Sequence, residues 1–186
     1  MTDVPLNQQE LAGDRKLRSV LFYICRTYPH ARELSKARVT KMIYLADWRS
    51  AVLDGDQLTR ILWTFNHYGP YVDDVVRLAK RDAAFEVLVS ENYYGSPMEL
   101  LRLSGVGDDD ELSARDRAIV QTVIDDSAHL YWNDFIAMVY ATYPVKVRPR
   151  YEVLELPLLA TEYRVTQGGA LALNTWQAAV QRRLAG

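Results

Sequence analysis

A chain of 186 residues, 49% of them hydrophobic, is long enough for one substantial core, since domains of this size bury roughly 70% of the surface their unfolded chains expose. Its 22 basic and 24 acidic residues nearly cancel, so no whole-molecule field draws it to nucleic acid or to an anionic membrane. The lone Cys25 excludes an internal disulfide and a multi-cysteine zinc site and suits a reducing compartment.

The first residues, Met1 to Glu10, lack the basic and apolar regions of a signal peptide, and no run approaches the roughly 18 apolar residues of a membrane span, which points to a cytoplasmic protein. A polar leader, 1–12, precedes a single domain expected over 13–186. Leu17, Val20, Leu21, Ile24 and Tyr28 recur at the spacing of one helical face, and Pro29 stops the pattern, which predicts a first helix from about Asp14 to Tyr28. Ser35 is placed to cap a second helix, broken at Asp54 and Gly55. Val39, Met42, Ile43, Ala46 and Leu53 form one apolar stripe on it, and Tyr44, Leu45, Trp48 and Val52 form another. Only Thr40, Asp47 and Arg49 clearly ask for water or a polar partner. Two readings follow: a central helix packed on both sides, or one that leaves Tyr44 and Trp48 accessible beside Tyr68 and Tyr71.

Ile61 to Phe65 has the branched and aromatic composition of a short strand, and Gly69 with Pro70 then marks a turn. A third helix carries Val72, Val75, Val76 and Ala79, with Asp73 and Asp74 in its first turn, where the helix dipole favours negative charge. Phe85–Ser90 and Met98–Leu103 read as a hairpin. After a polar loop, Gly105 to Glu111, Ser113 and Asp116 form a capping-box signal for a helix carrying Ile119, Val120, Val123 and Ile124. Asn133 is expected to cap the next helix, which ends at Pro144. The segment from Pro144 to Val165 holds three prolines and reads as irregular or edge structure. A last helix is expected from about Leu171 to Leu184. The sum is an α+β fold: a mainly helical single domain with a small antiparallel sheet or hairpin.

No catalytic constellation stands out, and the chain does not read as an enzyme. His30, His67 and His129 lack a second ligand at helical spacing, so neither a metal nor a cofactor is expected. Cys25 falls beside the apolar face of the first helix, where a thiol is buried and inert. Asp108, Asp109, Asp110 and Glu111 are consecutive rather than alternating, unlike a calcium loop, and the scattered glycines build no phosphate cradle. Tyr143, Lys146, Arg148, Arg150 and Tyr151 mix rings with positive charge. That mixture describes either an edge strand with a charged outer face, the favoured reading, or a nucleic-acid contact.

The ordered series Lys41-Met42-Ile43-Tyr44-Leu45-Ala46-Asp47, then Trp63, then Tyr68-Gly69-Pro70 resembles the Panacea, or SocA-like antitoxin, domain. The resemblance runs from about Leu17 to Pro144. It implies the antitoxin of a bacterial or phage-encoded type II toxin-antitoxin pair, which neutralises a protein toxin encoded by an adjacent gene through direct binding. Partner contact is then expected at Tyr44, Trp48, Tyr68, Gly69, Pro70 and Tyr71. Tyrosine and tryptophan suit such a role because they bring large contact area at little entropic loss. The alternative is a nucleic-acid-binding regulator or autoregulator acting through Lys146, Arg148 and Arg150 in a dimer or other homo-oligomer. Tyr71 stands where the family commonly has a small aliphatic residue, and nothing carries over beyond Pro144.

Overall fold

The computed structural model describes residues 8–91 and 94–186, with side chains from Arg15 onward. The fold is α+β and mainly helical. Its centre is helix α2 (Lys36–Asp54), whose start and stop are set by local chemistry. Ser35 accepts a hydrogen bond from the Arg38 N–H at 3.2 Å, and Gly55, at φ +90°, takes the left-handed conformation that closes a helix at little cost to glycine.

Every residue from Val39 to Val52 is buried, so of the two readings of this helix the one packed on both sides holds. Helix α1 (Gln8–Thr27) lies on one flank, and α4 (Ala114–Ser127), α7 (Leu156–Arg164) and α8 (Gln167–Ala185) cover others. Helix α1 begins ahead of the expected Asp14, taking in part of the presumed leader; residues 1–7 lie outside the described residues. Arginines tie these helices end to side. Arg164 donates to the carbonyls of Val52 at 2.6 Å and Ala51 at 3.0 Å, satisfying the last turn of α2. Arg38 does the same for the end of α4, reaching the carbonyls of Ser127 and Leu130, while its guanidinium lies 4.4 Å from the Phe135 ring centroid.

Strands β1 (Trp63–Asn66) and β2 (Gly69–Tyr71) form a tight hairpin, to which β5 (Val153–Leu154) adds on the far side of β1. Helix α3 (Asp74–Arg81) leads to the hairpin of β3 (Phe85–Glu91) and β4 (Pro97–Leu103), whose register pairs Val87 with Leu101. Asn92 and Tyr93, between the two strands in the chain, lie outside the described residues. The capping box of α4 is complete, with Ser113 and Asp116 each accepting from the other's backbone N–H.

Two expectations are corrected. Helix α5 (Trp132–Tyr140) is capped by Tyr131 and not Asn133; its first turn is closed by the Phe135 N–H on the Tyr131 carbonyl. The proline-bearing stretch after Pro144 is mostly helical: α6 (Tyr143–Val147), the two-residue edge strand β5, then α7, while α8 starts at Gln167. Pro144 and Pro157 lie in the first turns of α6 and α7, where a missing N–H costs nothing. Among the described residues no helix is long and apolar enough to cross a membrane.

Candidate partner interface

The motif helix and the motif strand are joined below the surface. Asp47, fully buried, accepts from the Thr59 N–H at 2.8 Å, the Thr59 hydroxyl at 2.5 Å and the Trp63 indole N–H at 2.8 Å. Burial pushes its carboxyl up to about 6, against the downward pull of those donors. Tyr44 meets Trp63 edge to face at 5.5 Å and donates its hydroxyl hydrogen to Thr142 at 2.8 Å, because the Thr142 hydroxyl is itself committed to the Val139 carbonyl. Trp48 packs against Tyr163 with centroids 5.4 Å apart.

The remaining polar residues of α2 fare unequally. Arg49 reaches Asp126 at 2.8 Å with one nitrogen and lies 4.8 Å from the Trp176 ring, while Nε and Nη1 have no hydrogen-bond partner among the described residues. Thr40 Oγ1 has no partner among the described residues. Lys41 is 3% exposed, burial lowers its ammonium pKa, and no carboxylate pairs with it among the described residues.

Above this scaffold stands the β1–β2 hairpin. Its register pairs Phe65 with Pro70 and Asn66 with Gly69, so His67 and Tyr68 form the tip. Neither tip residue has positive φ; Gly69, at φ +94°, supplies the left-handed step that lets β2 turn back. A Cβ on Gly69 would stand 3.2 Å from Tyr140 Cε2, and Tyr140 in turn packs edge to face on Phe65. Tyr68 is 75% exposed, perpendicular to the His67 ring at 4.8 Å. Tyr71 is half-buried and donates to Asp73 at 2.9 Å; burial, then that carboxylate, pushes its hydroxyl up to about 12.

The expected contact residues therefore separate. Tyr68, Gly69, Pro70 and Tyr71 come together in one hairpin, with Gly69 and Pro70 buried beneath the tip. Tyr44 and Trp48 do not join them on the surface: at 0% and 2% exposure they are core residues, corrected from surface anchors because helices and sheet cover both faces of α2.

On the opposite side of Phe65 the chain re-enters the sheet through a bulge. The Tyr151 N–H donates to the Phe65 carbonyl at 2.5 Å and the Phe65 N–H donates to the Glu152 carbonyl at 2.9 Å, so two residues face one. Tyr151 is the only non-glycine residue with positive φ among the described residues, at 71°, which costs a tyrosine about 1–2 kcal/mol relative to glycine. The sequence carries no Gly or Asn there, the residues that usually announce such a bend, so nothing in it pointed to the bulge. The basic stretch before it is helix α6 and a turn, in place of the expected edge strand. Arg148 reaches Glu162 at 3.5 Å, whereas Lys146 and Arg150 are exposed and have no ion-pair partner among the described residues.

The family described as the antitoxin SocA-like, Panacea domain matches residues 39–144, more than half of the chain. The chain belongs to that family. The match takes in the α2 motif, Trp63 and the Tyr68–Gly69–Pro70 turn, and it ends where the Panacea resemblance in the sequence ends, at Pro144. The bulge at Tyr151, β5, α7 and α8 lie beyond the matched Panacea region. No curated protein and no solved structure matches the chain.

The other chemistry-bearing groups are quiet by comparison. Cys25 is buried and its thiol is pushed up to about 12 by that burial. No set of three His, Cys, Asp or Glu side chains is placed to hold a metal ion among the described residues. An open groove of about 1530 Å³ lies between the start of α2, the β4 edge and the turn before α5, but Lys36 pairs with Glu99 and Arg38 with main-chain carbonyls there.

Proposed function

We propose that this chain is the antitoxin of a type II toxin-antitoxin pair, acting in the cytoplasm by binding a protein toxin encoded beside it. Neutralisation is stoichiometric, and no covalent bond of the toxin is made or broken. The observation that carries the reading is membership of the Panacea family across α2 and the β1–β2 hairpin. The geometry supports it in a particular way. The motif residues Tyr44, Asp47 and Trp63 are spent on holding the hairpin in place, which leaves the tip free to present Tyr68, 75% exposed, to another molecule. Gly69 and Pro70 fix the turn and Tyr71 flanks it. A rigid turn carrying an aromatic side chain loses little conformational entropy on binding, the property that makes tyrosine a frequent energetic centre of interfaces.

A stable complex of this kind buries on the order of 1,200–2,000 Å². Co-expression tests it: the product of the adjacent gene should arrest growth alone, lose its toxicity beside this chain, and co-elute with it on size exclusion. A neighbour that is harmless alone, or that remains toxic with no complex formed, would refute the antitoxin reading.

A further inference from the structure

The two most exposed features at one end of the small sheet flank the same residue. Tyr68 stands at the hairpin tip just past Phe65, and Tyr151 enters the bulge bonded to the Phe65 carbonyl. Tyr151 is held at φ 71° while the residue is 72% exposed, so packing returns little for a backbone conformation that glycine would adopt freely. The strained backbone brings an exposed tyrosine into the sheet at Phe65, the strand residue that leads into the hairpin tip. Arg150 directly precedes Tyr151 in the chain and Lys146 lies on α6 five residues before it; both are exposed and carry charge that no carboxylate answers among the described residues. From Tyr143 to Val153 there are three basic residues to one acidic, the exposed Glu152, in a chain whose net charge is −2.

We infer that Tyr68 and Tyr151, with Lys146 and Arg150, form the contact face for an acidic surface patch on the protein toxin. The inference rests on the antitoxin reading and locates its interface, extending it past the family-matched region into the segment after Pro144. Rings supply the desolvated centre and the unpaired cations supply steering and register. A protein is favoured over nucleic acid because two unpaired cations fall well short of the roughly six to ten phosphate contacts that give salt-sensitive binding, and the whole chain repels phosphate slightly.

The bulge makes the test unusually clean, because Tyr151→Gly relieves the backbone while removing the ring. In binding measurements against the purified product of the adjacent gene, Tyr151→Gly should keep or raise the melting temperature yet weaken affinity about tenfold or more. Lys146→Glu with Arg150→Glu should slow association about tenfold at low salt, with the gap narrowing as salt is added. If the wild type binds and neutralises while Tyr151→Gly and the double charge reversal both bind within about twofold of it, the face lies elsewhere and the antitoxin reading survives. A wild type that neither binds nor neutralises ends both. Tight binding of promoter duplex DNA that these same variants abolish would overturn the protein partner in favour of nucleic acid.

Discussion

The indole N–H of Trp63 donates to Asp47 Oδ2 at 2.8 Å, joining the last residue of the helical motif to the first residue of β1 inside the core. That bond explains why the two motifs travel together along the chain. A buried carboxylate needs donors, and Trp63 with Thr59 supplies three hydrogen bonds whose geometry fixes where the strand leaves the helix. The position of the hairpin tip, and of Tyr68 upon it, follows from that anchor.

The anchor has a pH signature. The Asp47 carboxyl is raised to about 6 in the folded protein, chiefly by burial, against about 3.9 for an unfolded aspartate. Between these values the folded state holds a proton that the unfolded state has released, so this group's contribution to stability is fully present below about pH 4 and is lost as pH rises through about 6. Urea unfolding of wild type and Asp47→Asn should show the stability difference shifting against the wild type by about 3 kcal/mol across that window and then levelling off. Carboxylates held low by their partners, such as Asp82 and Asp116, slope the other way but cancel in the comparison. A difference that stays flat from pH 4 to pH 7 would show that the carboxyl titrates as an ordinary aspartate.

Core and surface aromatics should part company on substitution. Tyr44→Phe removes one buried hydrogen bond to Thr142 and should cost about 1 kcal/mol, while Trp48→Ala opens a cavity beside Tyr163 and should cost about 3–5 kcal/mol. Neither touches the proposed contact face, so toxin affinity of the folded fraction should be unchanged. Tyr68→Ala should do the reverse: stability within about 0.5 kcal/mol of wild type and affinity reduced by about 2 kcal/mol. Thermal unfolding paired with calorimetric titration separates the cases, and loss of affinity in Tyr44→Phe would return that residue to the interface.

What could be read from the chain was what local chemistry specifies. Ser35 and Gly55 bound α2 because capping and left-handed closure act within one turn, and the Ser113–Asp116 box marks α4 for the same reason. The two apolar stripes of α2 were visible, but periodicity cannot say how many faces a helix has covered, and here α7 and α8, which fall outside the family match, are among the elements that cover them. Pro144 and Pro157 suggested irregular structure because proline breaks helices from within, whereas both sit in first turns, where it is tolerated. Of the proposed contact face, the Gly69–Pro70 turn that carries Tyr68 was legible from the sequence. The left-handed Tyr151 was not, because tertiary hydrogen bonds to Phe65, rather than its own side chain, impose that backbone.

The hairpin turn offers a controlled pair of glycine substitutions. Gly69 and Gly55 share nearly the same backbone, at φ +94° and +90°, so alanine at either pays a similar conformational cost of about 1–2 kcal/mol. They differ in space: the nearest atom to a Cβ at Gly55 is 4.0 Å away on Arg164, whereas at Gly69 it is the Tyr140 ring at 3.2 Å. Gly69→Ala should therefore be the more destabilising by roughly 1 kcal/mol. Tyr140→Leu combined with Gly69→Ala should recover part of that excess in a double-mutant cycle. Equal losses at the two glycines would mean that the ring yields freely and does not brace the turn.

Cys25 provides a reporter for the opening of the core itself. The residue is 5% exposed and its thiol is pushed up to about 12 by burial, so the native protein holds almost no reactive thiolate at pH 8. The residue sits on α1, which packs against α2, α3, α4 and β4, and exposing it requires that helix to come away from the centre of the fold. Labelling by a disulfide reagent in native buffer should be slower than in guanidinium chloride by a factor on the order of 10³ or more, tracking the free energy of opening. Bound toxin should slow it further, by the stabilisation that a ligand of the native state confers through mass action. Rapid labelling of the unliganded chain would show that α1 detaches on its own, at a cost far below global unfolding, and that the central helix is covered on that flank only part of the time.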